Sequence, residues 1–237
     1  MGVNYFSLDG VRSTAYGVLI SGPGVDDAPG RAYESVYVAG KNGAVLFDEG
    51  RYDNAAVYYE AGLINKGGNL DNFRAWLLSH TKYCRLTDSY HPGEYRLAMP
   101  KGGLEVQSQV SRKVGTFRVD FDCKPQRFLL SGETTTTLTS SGAITNPTLF
   151  TAKPLIRIYG YGALGIGSET VTIAQHPGLG YIDMDCEIQD SFCGNSNANE
   201  FITLTGSDYP TLSPGANNIS LAGTLTRIII TPRWWTL

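Results

Sequence analysis

Three glycines in the middle of the chain have the spacing of a dinucleotide-binding loop. Gly160, Gly162 and Gly165 form G-x-G-x-x-G directly after an apolar run that predicts a strand, with aspartates about twenty positions further on. Such a loop binds a pyrophosphate only when it opens a helix, because the ligand sits on the N–H groups of the first helical turn. Here the run 168–173 is β-branched and alternating, which predicts a second strand. The glycines therefore favour a hairpin turn over a cofactor site.

Four carboxylates follow within the segment DMDCEIQD, residues 183–190. Paired carboxylates can act as the acid and the nucleophile of a glycoside hydrolase, and clustered ones can bind calcium. The segment lacks the glycine and the ligand order of a calcium loop. We expect a strand that ends in a solvated acidic turn. A glycoside hydrolase stays open as an alternative, which would lose activity in Asp183→Asn or Asp185→Asn.

The remaining nucleophiles and potential metal ligands are scattered along the chain. Three histidines and four cysteines are the candidates: His80, His91, His176, Cys84, Cys123, Cys186 and Cys193. They form no HExxH, GxSxG, Walker or CxxC pattern. We expect reduced thiols, although Cys186 and Cys193 are close enough in sequence to pair. The sequence predicts a protein that is not an enzyme and has no catalytic residues, cofactor or metal site.

The bulk properties exclude several classes of partner. The formal net charge is −3, and lysines and arginines are not clustered, which argues against a nucleic-acid surface. No apolar run reaches the ~18 residues of a membrane span, and the N-terminus lacks the basic and apolar regions of a secretion signal. We therefore expect a protein made in the cytoplasm, without membrane insertion.

Short β-type runs separated by Gly, Pro and Asp dominate the 237 residues, so the fold class is mainly β. One segment, 69–80, predicts a helix that Asn69 can cap. Its apolar face comprises Leu70, Phe73, Trp76 and Leu77. A long polar loop between two early strands predicts a hairpin over 19–36 that projects as an arm.

The clearest strand pattern spans residues 115–125. Phe117, Val119, Phe121 and Cys123 alternate with charged residues, which predicts one buried and one solvated face. Beyond this strand the composition shifts to Thr, Ser and Gly, and a boundary near residue 128 is the best placement. The sequence thus predicts an N-terminal domain over 1–128 and a C-terminal β-sandwich over 129–237.

Two groups of residues are candidates for an interface. Arg233, Trp234 and Trp235 lie side by side, and neighbours in a strand face opposite sides. We therefore expect at least one tryptophan to lie in an interface, a domain junction or water. The Asn-Gly pair at 42–43 predicts a tight hairpin turn. The full set of predicted interface residues is Gly40, Lys41, Asn42, Gly43, Trp76, Arg233, Trp234 and Trp235.

Several ordered landmarks resemble the distal tail protein (Dit) family of long-tailed, non-contractile siphovirus bacteriophages. They span the whole chain: residues 36–54, Trp76-Leu77, 121–128, 146–162, 181–190, 209–223 and the terminal TPRWW. The resemblance rests on their shared order and spacing. Ala39 and Lys41 depart from the proline and arginine usual in the family.

The resemblance implies both architecture and role. It implies an N-terminal β-rich domain of split-barrel or sandwich type with one α-helix, and a C-terminal galectin-like β-sandwich. Six copies would form a ring in the virion's tail tip, assembled in the host bacterial cytoplasm. The implied partners are the major tail tube protein and the tail-tip hub (tail-associated) protein, with the tape-measure protein as a further candidate.

A carbohydrate-binding β-sandwich module remains the alternative function. Tyrosines and the Asn/Asp-rich loops around 183–200 would then form the sugar platform. The oligomeric state separates the two hypotheses, because such a module would be monomeric.

Overall fold

The structure is a computed structural model that describes residues 3–21, 28–63, 70–104, 106–108 and 115–237. The chain divides into two compact units. The first comprises Met1–Arg127 together with Leu237, and the second comprises Phe128–Thr236. The described part is mainly β with one α-helix, which confirms the predicted fold class.

The first unit is one sheet covered by the helix, with a separate two-stranded ribbon. Its strands are β1 (Phe6–Leu8), β2 (Val11–Arg12), β3 (Val18–Ser21), β4 (Arg31–Tyr37), β5 (Ala44–Tyr52), β6 (Ala55–Leu63), β7 (Cys84–Asp88), β8 (Glu94–Lys101), β9 (Val106–Ser108) and β10 (Gly115–Leu129), and its helix is α1 (Leu70–Leu78). The sheet has the order β2-β1-β7-β8-β10-β6-β3, and β9 also pairs with β10. It curls into a half-barrel.

Local periodicity explains how this unit forms its core. In β10 the predicted face of Phe117, Val119, Phe121 and Cys123 is buried, as the alternation requires. The predicted apolar face of α1 packs on the same core, with Phe73 and Leu77 buried and Leu70 and Trp76 partly buried. The predicted cap Asn69 lies outside the described residues. Within the described ranges, no helix is long and apolar enough to cross a membrane.

The predicted arm over 19–36 is wrong in its pairing. Strand β3 pairs with β6 at the edge of the main sheet, where Val18 and Ile20 are buried in the core. Strand β4 pairs instead with β5, and the two form their own sheet. The pairing of β3 with β6 buries Val18 and Ile20, whereas a hairpin with the almost wholly exposed β4 would not cover them.

The second unit is a β-sandwich. Its strands are β11 (Thr136–Leu138), β12 (Gly142–Asn146), β13 (Leu155–Tyr159), β14 (Gly162–Ile166), β15 (Glu169–Ile173), β16 (Ile182–Asp185), β17 (Asp190–Cys193), β18 (Ser196–Asn197), β19 (Ile202–Leu204), β20 (Gly215–Gly223), β21 (Arg227–Thr231) and β22 (Trp235–Thr236). One sheet has the order β11-β21-β13-β16-β17-β18 and the other β12-β20-β14-β15-β19. Inward-facing side chains of both sheets share one core, for example Ile156 and Ile230 with Leu164 and Ile219.

Gly160 and Gly162 do not turn a hairpin, contrary to the prediction. They carry the chain from β13 in one sheet to β14 in the other. A Cβ at Gly160 would lie 2.2 Å from the carbonyl oxygen of Thr224, and one at Gly162 would lie 2.2 Å from that of Ala222. Both glycines are therefore required by the close approach of two backbone segments. The three glycines do not form a dinucleotide-binding loop, because they lead into strand β14 and not into a helix.

Candidate interaction surface

Among the described residues of the first unit, the β4–β5 ribbon is the most exposed apolar feature. In the described part of the chain its two strands pair only with each other. Lys41 N–H donates to the carbonyl oxygen of Val38 at 3.1 Å in the connecting turn. Gly40 and Gly43 both have φ of +79°, a left-handed conformation that glycine adopts without steric cost. The local sequence thus builds a ribbon that the main sheet does not extend.

We call the outer half of this ribbon, residues 36–47, the ribbon tip. Three of its large side chains are mostly exposed: Tyr37 at 82%, Leu46 at 62% and Phe47 at 55%. In the register, Leu46 lies opposite Ser35 and Phe47 lies opposite Glu34. Leu46 and Phe47 are adjacent in β5 and so point to opposite faces. The ribbon tip therefore presents uncovered apolar surface on both of its faces.

Charged side chains hold the base of the ribbon. Arg31 donates to Asp48 at 2.9 Å, and Arg51 donates to Glu49 and to Asp53, each at 2.9 Å. These pairs are solvent-exposed, so screening by water leaves each with little effect on stability. An isolated two-stranded ribbon is marginally stable in water, and an exposed apolar patch marks an interaction site. The ribbon tip is thus the candidate interaction surface of the first unit.

The predicted turn residues lie at the end of this surface. Gly40, Lys41, Asn42 and Gly43 are all exposed. The sequence interpretation missed the apolar side chains beside them: Tyr33, Val36, Tyr37, Val38, Leu46 and Phe47. The available signal was apolar residues at consecutive positions, 36–38 and 44–47, on both sides of a turn. A strand covered on one face alternates instead.

Trp76 lies elsewhere, in the packing beneath helix α1. Its ring stacks on Tyr16 at 4.8 Å between centroids and contacts Phe6 at 6.1 Å. The side chain is half-buried against the first core. The structure therefore gives Trp76 a packing role within its own chain, while its place in an interface stays a prediction.

Trp234 and Trp235 both pack on the core of the second unit. Trp234 is buried, and Trp235 stacks on Phe150 and donates its indole N–H to the carbonyl oxygen of Thr151 at 2.9 Å. The alternation assumed for this pair does not apply, because strand β22 begins at Trp235 and Trp234 precedes it. A place of Arg233, Trp234 and Trp235 in an interface or a domain junction stays a prediction.

The first two carboxylates of the acidic segment 183–190 are buried, although the sequence predicts a solvated turn there. Asp183 and Asp185 lie on β16 and are buried. Arg157 on the neighbouring strand β13 donates to both oxygens of Asp183 at 2.7 and 2.8 Å. Arg233 does the same for Asp185 at 2.6 and 2.8 Å. Each carboxylate is thus committed to an arginine, an arrangement that locks structure and leaves no free acid and nucleophile pair between them.

Arg233 also determines the protonation of its partner. Burial alone would raise the pKa of Asp185, but the hydrogen bonds and the charge of Arg233 outweigh it, and the pKa lies below its usual value. The same contact raises the pKa of Arg233. The pair is therefore fully charged at neutral pH, and Arg233 serves the fold of the second unit.

Two of the four thiols, those of Cys123 and Cys186, offer little reactivity. All four cysteines are free, including Cys186 and Cys193. Burial raises the pKa of Cys123 and of Cys186 to about 12, so both thiols stay protonated at neutral pH. A buried, protonated thiol is a poor nucleophile.

The comparisons with known proteins identify the fold. No protein-family model and no curated protein sequence matches the chain. The crystal structure of the SPP1 Dit (gp 19.1) protein matches it with a TM-score of 0.71 and 17% identity, covering 100% of both chains. The fold is the Dit fold. The predicted resemblance is confirmed at this level.

SPP1 Dit is described as a paradigm of the hub adsorption apparatus in phages that infect Gram-positive bacteria. Two baseplate structures of phage p2 in its activated conformation, with Sr and with Ca, match at TM-scores of 0.49 and 0.46. Both share 10% identity and cover 97% of each chain. These scores are too low to add to the assignment of the Dit fold.

Proposed function

We propose that this protein is a structural component of a phage tail tip, in which six copies form an adaptor ring between the tail tube and the tail-tip hub protein. The observation that carries the proposal is the Dit fold over the full length of the chain. SPP1 Dit belongs to a hub that adsorbs phage to its host, and a common fold over both units supports a common architecture. The role places the protein in the virion, after assembly in the host cytoplasm.

The exposed apolar side chains of the ribbon tip favour a second copy of the chain as its partner. A subunit of a closed ring has two neighbours and meets them through two different surfaces. A projecting ribbon with apolar side chains on both faces can insert between elements of a neighbour, which buries Leu46 and Phe47 together. Exposed strand edges of the ribbon can add main-chain hydrogen bonds to the same contact.

The proposed role is structural, and it requires no catalysis, cofactor or nucleic-acid surface. The tube and the hub would meet the two faces of the ring. The buried carboxylates and protonated thiols described above are consistent with a protein whose polar residues stabilise its own fold.

The first prediction concerns the ring itself. Light scattering of the purified protein is expected to give about 154 kDa, six times the 25.7 kDa of one chain, and negative-stain images are expected to show six-fold rings. The double variant Leu46→Asp/Phe47→Asp places two charges in the buried contact. It is expected to weaken association on the order of 100-fold or more, giving monomers with an unchanged circular dichroism spectrum.

The matched control is Ile188→Asp in the second unit. Ile188 is 64% exposed and thus as accessible as Leu46, but it lies outside the ribbon. This variant should keep the mass of the wild type. A wild-type protein that stays monomeric at high concentration, and that forms no rings on purified tail tubes, would contradict the proposal.

One observation favours carbohydrate binding as the second candidate function. The outer face of the β11-β21-β13-β16 sheet carries a cleft of about 160 Å³ lined by Thr135, Leu155, Arg157, Asp183, Ile229 and Thr231. The Arg157 guanidinium also lies 4.1 Å from the centroid of the Tyr181 ring. Paired charges beside an aromatic ring can bind sugar hydroxyls. A glycan array with wild type and Arg157→Ala tests this candidate, and binding lost in the variant would support it.

A further inference from the structure

Three side chains of different chemistry converge at one end of helix α1. Asp9 directly follows strand β1, His80 lies two residues after the end of α1, and Cys84 begins strand β7. One ligand atom of each, a carboxylate oxygen, an imidazole nitrogen and the thiol sulfur, lies within 4.8 Å of the other two. His80 and Cys84 are four positions apart, but Asp9 lies 71 positions before His80, so no local motif reveals the full set.

Hydrogen bonding fixes the tautomer of His80. Its Nδ1 lies 2.8 Å from the carbonyl oxygen of Trp76 and 3.3 Å from that of Leu77. Carbonyl oxygens only accept, so Nδ1 carries the proton and Nε2 of the neutral ring presents a lone pair. Histidine ligands of metals are commonly oriented in this way, with the second ring nitrogen donating to a backbone carbonyl.

Asp9 is held beside strand β7 by two hydrogen bonds. Its N–H donates to the carbonyl oxygen of Arg85 at 2.9 Å, and Arg85 N–H donates to Asp9 Oδ1 at 2.8 Å. Among the described residues no hydrogen bond reaches the second carboxylate oxygen, Oδ2, which can therefore bind a ligand. The neighbouring Cys84 is 5% exposed, and its Sγ lies 3.1 Å from the carbonyl oxygen of Ala98.

We propose that Asp9, His80 and Cys84 bind a zinc ion, with water as the fourth ligand. Thiolate, imidazole and carboxylate together are a donor set that zinc prefers. Zinc bonds of about 2.0–2.3 Å require donors about 3.3–3.8 Å apart, so the site closes by a movement of about 1 Å. The carboxylate of Asp9 is exposed and the ring of His80 is half-buried, so a movement of this size displaces few packed atoms.

Binding is a ligand exchange without a redox step. The S–H bond of Cys84 breaks as the sulfur–zinc bond forms, and the proton goes to solvent, while zinc remains divalent. The bound ion would join the turn after β1, the end of α1 and the start of β7. It therefore acts as a cross-link that fastens the helix to the sheet of the first unit.

The test uses the full chain without an affinity tag, with Co²⁺ and Zn²⁺ as separate probes. One equivalent of Co²⁺ is expected to give a thiolate-to-cobalt charge-transfer band in the near ultraviolet. Zn²⁺ is expected to raise the Tm by about 5 °C or more, and a chelator should reverse the shift. Cys84→Ala should abolish the band, and His80→Gln should weaken Co²⁺ binding at least about tenfold.

Two matched variants serve as controls, since they remove a thiol and an imidazole outside the cluster. Cys193→Ala and His91→Gln should bind Co²⁺ like the wild type. The proposal is overturned if the wild type shows no thiolate band in excess Co²⁺, or if Cys84→Ala keeps the band. It is also overturned if His80→Gln binds as tightly as the wild type.

Discussion

Gly160→Ala is expected to destabilise the second unit by about 3–5 kcal/mol. Gly160 has φ of +91°, where an L side chain is strained at a cost of about 1–3 kcal/mol. Its Cβ would also lie 2.2 Å from the carbonyl oxygen of Thr224. Overpacking of this kind typically costs a further 1–3 kcal/mol. The oxygen cannot simply retreat, because Thr224 N–H is bonded to the carbonyl oxygen of Tyr161 at 2.9 Å.

Urea unfolding followed by near-ultraviolet circular dichroism measures this loss. The matched control is Gly178→Ala, since Gly178 has φ of +86° but has no atom within 4 Å of the added Cβ. Gly178→Ala adds the backbone strain without any steric overlap, so it should lose about 1–3 kcal/mol, less than Gly160→Ala. Equal losses in the two variants would show that the contact with Thr224 has no energetic role.

The second large effect is expected for Asp185→Asn, which should lower the free energy of unfolding by about 2–3 kcal/mol at pH 7. The substitution leaves the guanidinium of Arg233 partly buried without its charged partner. Removing one member of a buried pair costs about 3–5 kcal/mol, and the partial exposure of Arg233 reduces that figure. Asp208→Asn, at an exposed position, is the control and should change the free energy of unfolding little.

The lowered pKa of Asp185 also predicts that the free energy of unfolding depends on pH. Because the folded-state pKa of Asp185 is lowered, its stabilising contribution is present above its unfolded pKa of about 3.9. The contribution is lost as the pH falls through the lower folded value. The difference in unfolding free energy between wild type and Asp185→Asn should therefore shrink between pH 5 and pH 2. A difference that stays constant over this range would refute the assignment.

The parts of the fold that the sequence predicts are those that depend on local periodicity. The alternation through Phe117 and Phe121 identifies the buried face of β10, because successive strand residues point to opposite faces. The spacing of Leu70, Phe73 and Leu77 identifies the buried face of α1, because residues three and four positions apart lie on one face of a helix.

The parts that the sequence did not predict depend on distant contacts. The arginine partners of Asp183 and Asp185 lie 26 and 48 residues away, so the acidic segment looks solvated when read alone. Gly160 is explained only by a backbone segment more than sixty residues later. Local patterns describe a strand's two faces, but they do not say which other strand will cover them.

The candidate interaction surface was missed for a related reason. Leu46 and Phe47 have the residue types of a buried strand, and composition does not distinguish a core strand from an uncovered ribbon. The cluster of Asp9, His80 and Cys84 was missed because sheet pairing brings Asp9 to Arg85 across 76 residues. Only the register of β1 with β7 places these donors together.

The pairing of β11 with β21 sets the time at which the second unit can fold. Thr136 lies opposite Ile230 in the antiparallel register, and Leu129 N–H donates to the carbonyl oxygen of Trp234 at 2.9 Å. The first strand of the sandwich must therefore wait until the ribosome has made residues 228–234, about a hundred positions later. Such non-local pairing takes about milliseconds to seconds, during which newly made chains expose unpaired edges. Slower synthesis should raise the yield of folded protein, because it lowers the concentration of incompletely folded chains whose unpaired strand edges can associate.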